Sequence, residues 1–382
     1  MKTLENLRSE IDEIDKGIVE LFMRRMKAAS NVAEIKKATS SPVYDPTRER
    51  KILSTVADSV GSELENEARL LFTTLFSISR GLQRATLAKQ SDFTISLEKA
   101  LKESPSAFPS RASVACPGAE GSYSQQAASQ LVKFPTIFYF KGFEDVFNAV
   151  EKGMCDYGIL PIENSAVGSV SAVYDMMDRH NFKIVRAKRL RIRHVLLAKS
   201  GVKIENIKKI YSHPHALSQC SSFISSQKDI HAIPSTNTAV AARELASSNE
   251  TDAAVIASRE CAQLYNLDII REDIADVSTN YTRFICISKK DEIYADSTKF
   301  SVMMSLPHRA GALSDVLVKF SSCAVNLTKL ESRPIPGSDF EFRFIFDFEA
   351  SPHDPRIIKL LTGFECDPEI EHFTFLGAYN EK

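Results

Sequence analysis

The chain has no Cys-x-x-Cys pair anywhere in its 382 residues. Its seven cysteines, Cys116, Cys155, Cys220, Cys261, Cys286, Cys323 and Cys366, are odd in number and widely spaced. That excludes a zinc ribbon and a fully paired disulfide frame, and fits free thiols in a reducing compartment. Long apolar runs are also missing. Stretches such as AAVIA are far too short to cross a bilayer, and the opening MKTLENLRSEIDEID has no apolar signal region. The expectation is a cytoplasmic protein with no membrane contact. Charge of one sign is not in excess: 48 Lys and Arg against 49 Asp and Glu give a net charge of −1. Nucleic acid is therefore not an expected partner. Neither GxGxxG nor GxxxxGK[ST] occurs, and Asp, Glu and His do not gather at ligand spacing. No nucleotide cofactor and no metal are expected.

What is present falls into three textures. The length exceeds one compact core, and 43% hydrophobic with 25% charged residues is an ordinary globular composition, so two or three domains are expected. Residues 1–90 read as all-helical. Leu4, Leu7, Ile11, Ile14, Ile18 and Leu21 step by three and four, and the stepping continues through Arg25, Ala28, Val32 and Ile35. A helix from 4 to 37 is roughly 50 Å long. So small a domain cannot cover it, which predicts pairing with a second copy as an interlocked helical dimer. SSPVYDP breaks this helix; a second begins near Thr47 and a third spans 63–88. Residues 91–110, ending KESPSAFPS, read as a linker with one set of helical turns. Residues 111–288 alternate short apolar runs with helical patterns, the rhythm of mostly parallel sheets in two α/β lobes with a cleft. After the charged linker KKDEIYADST, residues 298–382 read βαββαβ, a ferredoxin-like order. The fold class expected is multidomain: α, then α/β, then α+β.

In the helical segment Arg25 stands where the apolar stripe asks for a core residue, and Lys36 lies on nearly the same face, about three turns on. Two cations on one buried face want an anion. Arg8 lies about 100° around and would join them only from a partner helix. Asp45, Arg48 and Glu49 bracket a helix start, and Ser79 and Gln83 share a face. Together these residues suit a dicarboxylate bearing hydroxyl and ether oxygens, with no nucleophile–base pair among them. Singly, each reads as surface charge on a coiled coil.

The stretch LRSEIDEIDKGIVELFMRRMKAASNVAEIKKATSSPVYDPTRERKIL resembles the helical chorismate mutase domain over about 85 residues. The resemblance implies that Arg8, Arg25, Lys36, Asp45, Arg48, Glu49, Ser79 and Gln83 bind chorismate. Arg25 and a partner's Arg8 would clamp carboxylates, Lys36 and Gln83 would donate to the ether oxygen, and Glu49 would hold a ring hydroxyl. The rearrangement to prephenate is pericyclic, so holding the reactive conformer and stabilising charge on that oxygen suffices.

In the α/β segment, GAEGSYS (118–124), PIENSAVGSV (161–170), SHPHALSQC (212–220) and STNTAVAA (235–242) each put a polar turn ahead of a helix. One such turn is an ordinary N-cap; several at the carboxyl ends of strands mark a ligand crevice. With the TRF of NYTRFICIS they resemble prephenate dehydratase over 111–288. That resemblance implies Thr282 as the hydroxyl that helps a ring oxygen depart as water. Ser122, Ser124, Asn164, Ser165, Ser212, Thr236 and Arg283 are the expected prephenate contacts, with Arg283 assigned equally to local structure or a carboxylate. Glu163 would orient neighbours, and His194 reads as structural. Cys116-Pro117 and His215 depart from the family's usual residues.

PHRAGALSDVL and LTKLESRPIPG on βαββαβ resemble the regulatory ACT domain of bifunctional chorismate mutase–prephenate dehydratases, which binds phenylalanine. Gly311, Ala312, Leu313, Ser314, Glu331, Ser332, Arg333 and Pro334 are then the expected effector contacts. The combined expectation is an enzyme that turns chorismate into prephenate and then into phenylpyruvate, is inhibited by L-phenylalanine, and works as a dimer or tetramer without cofactor. The alternatives are a dehydratase acting on prephenate or arogenate whose helices serve dimerisation, and a non-catalytic sensor of aromatic amino acids.

Overall fold

The computed structural model describes residues 3–39, 41–87, 91–103, 105–227, 229–335 and 341–381. The Pro336-Gly337 end of the second C-terminal motif, and a few positions at the expected linker boundaries, lie outside them. The N-terminal helices are α1 (Leu4–Thr39), α2 (Pro46–Val60), α3 (Glu65–Leu87) and α4 (Asp92–Glu103). Asp45 caps α2 by accepting the Arg48 N–H at 3.0 Å, and Pro46 occupies the first helical position, where its missing N–H costs nothing. Helix α3 packs on both α1 and α2. Helix α4 corrects the linker reading: its twelve residues bury Leu97 and Ala100. Phe93 packs edge-on to Phe373, and Thr94 shares a hydrogen bond with Thr362. The pattern FxxxLxxA is short, and its burial depends on residues far along the chain.

The middle segment runs β1 (Arg111–Pro117), α5 (Tyr123–Leu131), β2 (Phe134–Phe140), α6 (Phe143–Glu151), β3 (Tyr157–Asn164), β4 (Gly168–Ser169), α7 (Ser171–His180) and β5 (Lys183–Arg191). It continues with β6 (Val195–Ala198), β7 (Lys209–Ser212), α8 (Pro214–Ser218), α9 (Ser221–Ser226), β8 (His231–Pro234) and α10 (Thr238–Ser247). It closes with β9 (Ala253–Ala257), α11 (Glu260–Tyr265), β10 (Asp268–Arg271) and β11 (Tyr281–Ser288). Last come β12 (Lys299–Leu306), α12 (Ala312–Ser322), β13 (Asn326–Pro334), β14 (Phe342–Glu349), α13 (Pro355–Glu365) and β15 (His372–Glu381), the expected βαββαβ order.

These elements group into two compact units. One joins residues 1–98 to 303–346 and 354–373; the other holds 99–302, 347–353 and 374–382. In the second unit one sheet contains the order β15–β5–β11–β3–β1–β2, and a five-stranded sheet has the order β10–β6–β9–β7–β8. The sheets are mixed, which corrects the mostly parallel expectation. β1 is parallel to β2 and β3, but β11 runs antiparallel to β3 and β5, and β6 antiparallel to β9 and β10. β11 returns from the second sheet without a helical crossover, so it enters against its neighbours. Strands β6 and β9 are buried along their whole length, with core on both faces, which is why they read as unbroken apolar runs.

Candidate active sites

The first site lies among the N-terminal helices. Arg25 reaches from α1 to α3, donating to Ser79 Oγ at 2.5 Å and to the Leu75 carbonyl at 3.1 Å, with its guanidinium over Phe76. Burial pulls its pKa below the ordinary value, and the charge of Glu49 acts the other way. Ser79 and Gln83 are buried, and Gln83 Oε1 has no hydrogen-bond partner. Lys36 donates to the Val43 carbonyl at 2.7 Å, leaving further N–H donors on the ammonium. Arg80, which the sequence reading missed, holds both oxygens of Glu49 at 2.6 and 2.7 Å. Its position between Ser79 and Gln83 on one helix was the available signal. Asp45 and Arg48 are exposed, and Asp45 is occupied in capping α2. Arg8 is exposed too. Leu4, Ile11, Ile14, Ile18 and Leu21 are each more than half exposed.

The second site is a cavity of about 610 Å³ in the second unit. The loop before α5 reaches it through two glycines with positive φ, 98° at Gly118 and 87° at Gly121. A Cβ at Gly118 would meet the Asn237 amide at 2.6 Å, and one at Gly121 the Cys261 sulfur at 2.8 Å. Close packing as well as backbone angle therefore requires glycine at both. Ser122 caps α5, and Ser122, Ser124, Asn164, Thr236 and Thr282 all line the cavity.

Thr282 and Arg283 divide their work by strand alternation. β11 and β3 pair Thr282 with Asn164 and Arg283 with Glu163, with a register shift at the next residue. Thr282 faces the cavity, and the Asn164 amide donates to its Oγ1 at 2.8 Å. Arg283 is buried away from the cavity lining, paired with Asp347 at 2.7 Å and Glu163 at 3.2 Å. Burial would lower its pKa, but the surrounding anionic groups raise it well above the ordinary value. Of the two assignments expected for Arg283, this pairing with two carboxylates of the chain favours local structure over a prephenate contact. Ser165 and Ser212 also stand outside the lining. Ser165 closes a turn by bonding Tyr281 and Thr279, and Ser212, fully buried, donates to the Ile256 carbonyl at 2.6 Å.

Three wall residues went unnoticed as contacts: Gln219, His213 and Lys141. Gln219 lies one helical turn from His215, so SHPHALSQC carried the signal. His213 and His215 stack with ring centroids 5.2 Å apart, and His213 Nδ1 accepts the His215 N–H at 3.2 Å. Burial, then the neighbouring His215, lowers the pKa of His213. His194 is buried with its Nε2 at 3.0 Å from Gln219 Oε1; burial lowers its pKa and that hydrogen bond opposes the shift.

A third cavity, about 420 Å³, lies in the first unit and is lined by His308, Arg309, Ala312, Leu313, Phe342 and Phe344 among others. Gly311 has φ 84° and opens α12 without a side-chain cap. Of the eight expected effector contacts only Ala312 and Leu313 line this cavity. Gly311 and Ser314 are exposed beside it, and Glu331, Ser332, Arg333 and Pro334 lie on β13 rather than in a turn. The arginine in PHRAGALS was the missed signal: Arg309 bonds Asp315 and Glu369 at 2.8 and 2.7 Å.

Comparison with known proteins adds a family. The model of prephenate dehydratase matches residues 114–292, and that of type II chorismate mutase matches residues 7–84. The bifunctional chorismate mutase/prephenate dehydratase of Aquifex aeolicus is 32% identical over 384 residues, 99% of this chain and 98% of its own. The chloroplastic arogenate dehydratase/prephenate dehydratase 2 of Arabidopsis thaliana is 37% identical over 284 residues, 71% of this chain and 73% of its own. The crystal structure of a prephenate dehydratase from Arthrobacter aurescens in complex with L-Phe matches with a TM-score of 0.63 at 28% identity, covering 70% of this chain and 90% of that one. The chain belongs to the bifunctional chorismate mutase/prephenate dehydratase family.

Proposed function

We propose that this chain rearranges chorismate to prephenate among its N-terminal helices and converts prephenate to phenylpyruvate in the cavity beside Thr282. For the first reaction, Arg25 and Lys36 supply positive charge along one side of α1, and Gln83 supplies an amide with no titrating charge. Held in its reactive conformer, chorismate breaks its ether C–O bond as the new C–C bond forms; donors at the ether oxygen stabilise the charge that develops there. The exposed apolar stripe of α1 supports an interlocked dimer, with the partner subunit's Arg8 completing the carboxylate clamp.

The observation that carries the second reaction is the Asn164 amide at 2.8 Å from Thr282 Oγ1. An oxygen that accepts from Asn164 keeps its own proton to donate, and Thr282 faces the cavity. That proton is directed at the ring hydroxyl. As carbon dioxide leaves, the electron pair of its C–C bond enters the ring and the C–O bond opposite breaks. The departing oxygen leaves as water with a proton supplied through Thr282. Among the described residues lining the cavity there is no Asp or Glu, while Lys141, His213 and His215 are present. This lining supports prephenate over arogenate, whose ammonium would find no carboxylate.

The βαββαβ order, with strands arranged β13–β14–β12–β15, supports a ferredoxin-like ACT domain. The apolar cavity against Ala312 and Leu313 then takes L-phenylalanine as a feedback inhibitor. No helix among the described residues is long and apolar enough to cross a membrane. The test is to supply chorismate and follow prephenate and phenylpyruvate, then add phenylalanine. Prephenate that accumulates with no phenylpyruvate, or a rate indifferent to phenylalanine, would each remove one part of the reading.

A further inference from the structure

Behind the wall that carries Thr282 lies a side chain that none of the sequence motifs singled out. Asn280 is 1% exposed and does not line the cavity, yet it touches two residues that do. Asn164 Nδ2 donates to Asn280 Oδ1 at 2.8 Å, and Asn280 Nδ2 donates to Gln219 Oε1 at 2.9 Å. The direction of these bonds is set by the backbone. Asn164 Oδ1 accepts the N–H groups of Ala166 and Val167 at 2.9 and 3.1 Å, so its nitrogen must face Asn280 and Thr282. Asn280 must then turn its oxygen to Asn164 and its nitrogen to Gln219. Gln219, which lines the cavity, in consequence points its oxygen at Asn280 and His194, while its nitrogen donates to Asn164 Oδ1 at 3.3 Å and keeps a second N–H.

We infer that Asn280 is a positioning residue for the dehydration: it fixes the polarity of the wall so that Gln219 and Thr282 both present donors to the departing oxygen. This rests on, and deepens, the reading of the cavity as the dehydratase site. A reversed Gln219 would present its carbonyl to an oxygen that is gaining negative charge. Only a group with an acceptor and a donor side by side holds both neighbours in this sense, and an asparagine of this length does so here.

Asn280→Asp tests the idea because it nearly preserves shape. The carboxylate still accepts from Asn164 but has no proton for Gln219, whose oxygen then faces a carboxylate and is driven to turn over against its own bond to Asn164 Oδ1. Protonated, it regains a donor. The titratable groups on this side are His194 and Tyr123 beyond Gln219, and, in the cavity lining, His213 just before α8 and His215 on it. Fixed charges on the neighbouring stretches are Arg191, bound to the Ser278 carbonyl, Asp276, bound to Ser221 and Ser222, and the Arg283–Glu163 pair. These groups are present in the parent as well, so the quantity to follow is the ratio of variant to parent.

At pH 8 we expect kcat on prephenate to fall about tenfold to hundredfold, with KM within about threefold. The ratio should recover by at least about fivefold as the pH is lowered to about 6. Chorismate mutase activity of the same preparation should be unchanged. Asn280→Ala should show the loss without the recovery. Parent-like kcat in Asn280→Asp at pH 8 would overturn the inference, as would a loss that is the same at every pH and matches that of Asn280→Ala. If the parent itself makes no phenylpyruvate from prephenate, the dehydratase reading fails first and takes this inference with it.

Discussion

At position 282 the proposed chemistry rests on a hydroxyl whose lone pair is already engaged by Asn164. We expect Thr282→Ala to lower kcat on prephenate about hundredfold to thousandfold with little change in KM, measured as phenylpyruvate formed, and Thr282→Ser to retain most of the rate. Gln83→Ala should cost the mutase a comparable factor, read as chorismate loss, and leave dehydration of supplied prephenate intact. His194 adds a pH dependence to stability. Its folded pKa is lowered, chiefly by burial. Its contribution is therefore complete above the unfolded value near about 6.5 and is lost as the pH falls from there toward the lowered value. Thermal melts between about pH 7.5 and pH 5 should lose part of this slope in His194→Gln. Thr282 was legible because TRF is a contiguous motif. Asn280 was not read, although it stands two residues before Thr282, just ahead of β11, and meets the same Asn164 amide; what hid it was the polar run DVSTN, which looks like any loop. Arg283 was half-legible, since its partner Asp347 lies 64 residues further on.

Among elements, α3 carries most of the first site and also a buried ion pair unconnected with substrate. Arg84 meets Asp367, just beyond α13, at 2.5 Å, and Lys319 of α12 binds the same carboxylate at 2.6 Å. Burial alone would raise the Asp367 pKa, but Lys319, with Arg84, holds it below the ordinary carboxylate range. The group stabilises the fold fully above about pH 4 and ceases to as the pH drops through that lowered value. Asp367→Asn removes the charge and leaves two cations facing each other. We expect it to destabilise by about 2–4 kcal/mol at neutral pH, seen as a lower denaturation midpoint, and to flatten the acid limb of the melt. The helices and strands themselves were largely legible. The stripe of α1, the breaks around Pro42 and Pro46 and the alternating apolar runs all follow from local periodicity. Strand direction was not: whether β11 runs with or against β3 depends on a return path that periodicity does not encode. Helix α4 was lost for the related reason that Phe93 and Thr94 meet partners some 270 residues later.

For the whole molecule, three textures in the sequence became two compact units, because the N-terminal helices cluster with most of the C-terminal segment. Composition changes along a chain mark changes of element type; they do not say which segments will share a core. The α1 stripe, by contrast, was legible from spacing alone, and in the structure it is still without cover in its own chain. If a second copy covers that apolar surface, mutase activity depends on protein concentration. We expect specific chorismate turnover to decline on dilution, in step with the loss of dimer by light scattering, while an Ile14→Glu variant should be monomeric and mutase-deficient from the outset.

The exposed placement of Arg8 has a genetic consequence. If each chamber borrows its first arginine from the neighbouring chain, then Arg8→Ala and Gln83→Ala injure opposite halves of a shared structure. In a hybrid pair one chamber inherits both lesions and the other inherits neither. Two inactive preparations, unfolded and renatured together in equal amounts, should thus regain about a quarter of normal chorismate turnover, since half the pairs are hybrids with one sound chamber of two. Continued silence after mixing would mean that every chamber is built from a single chain.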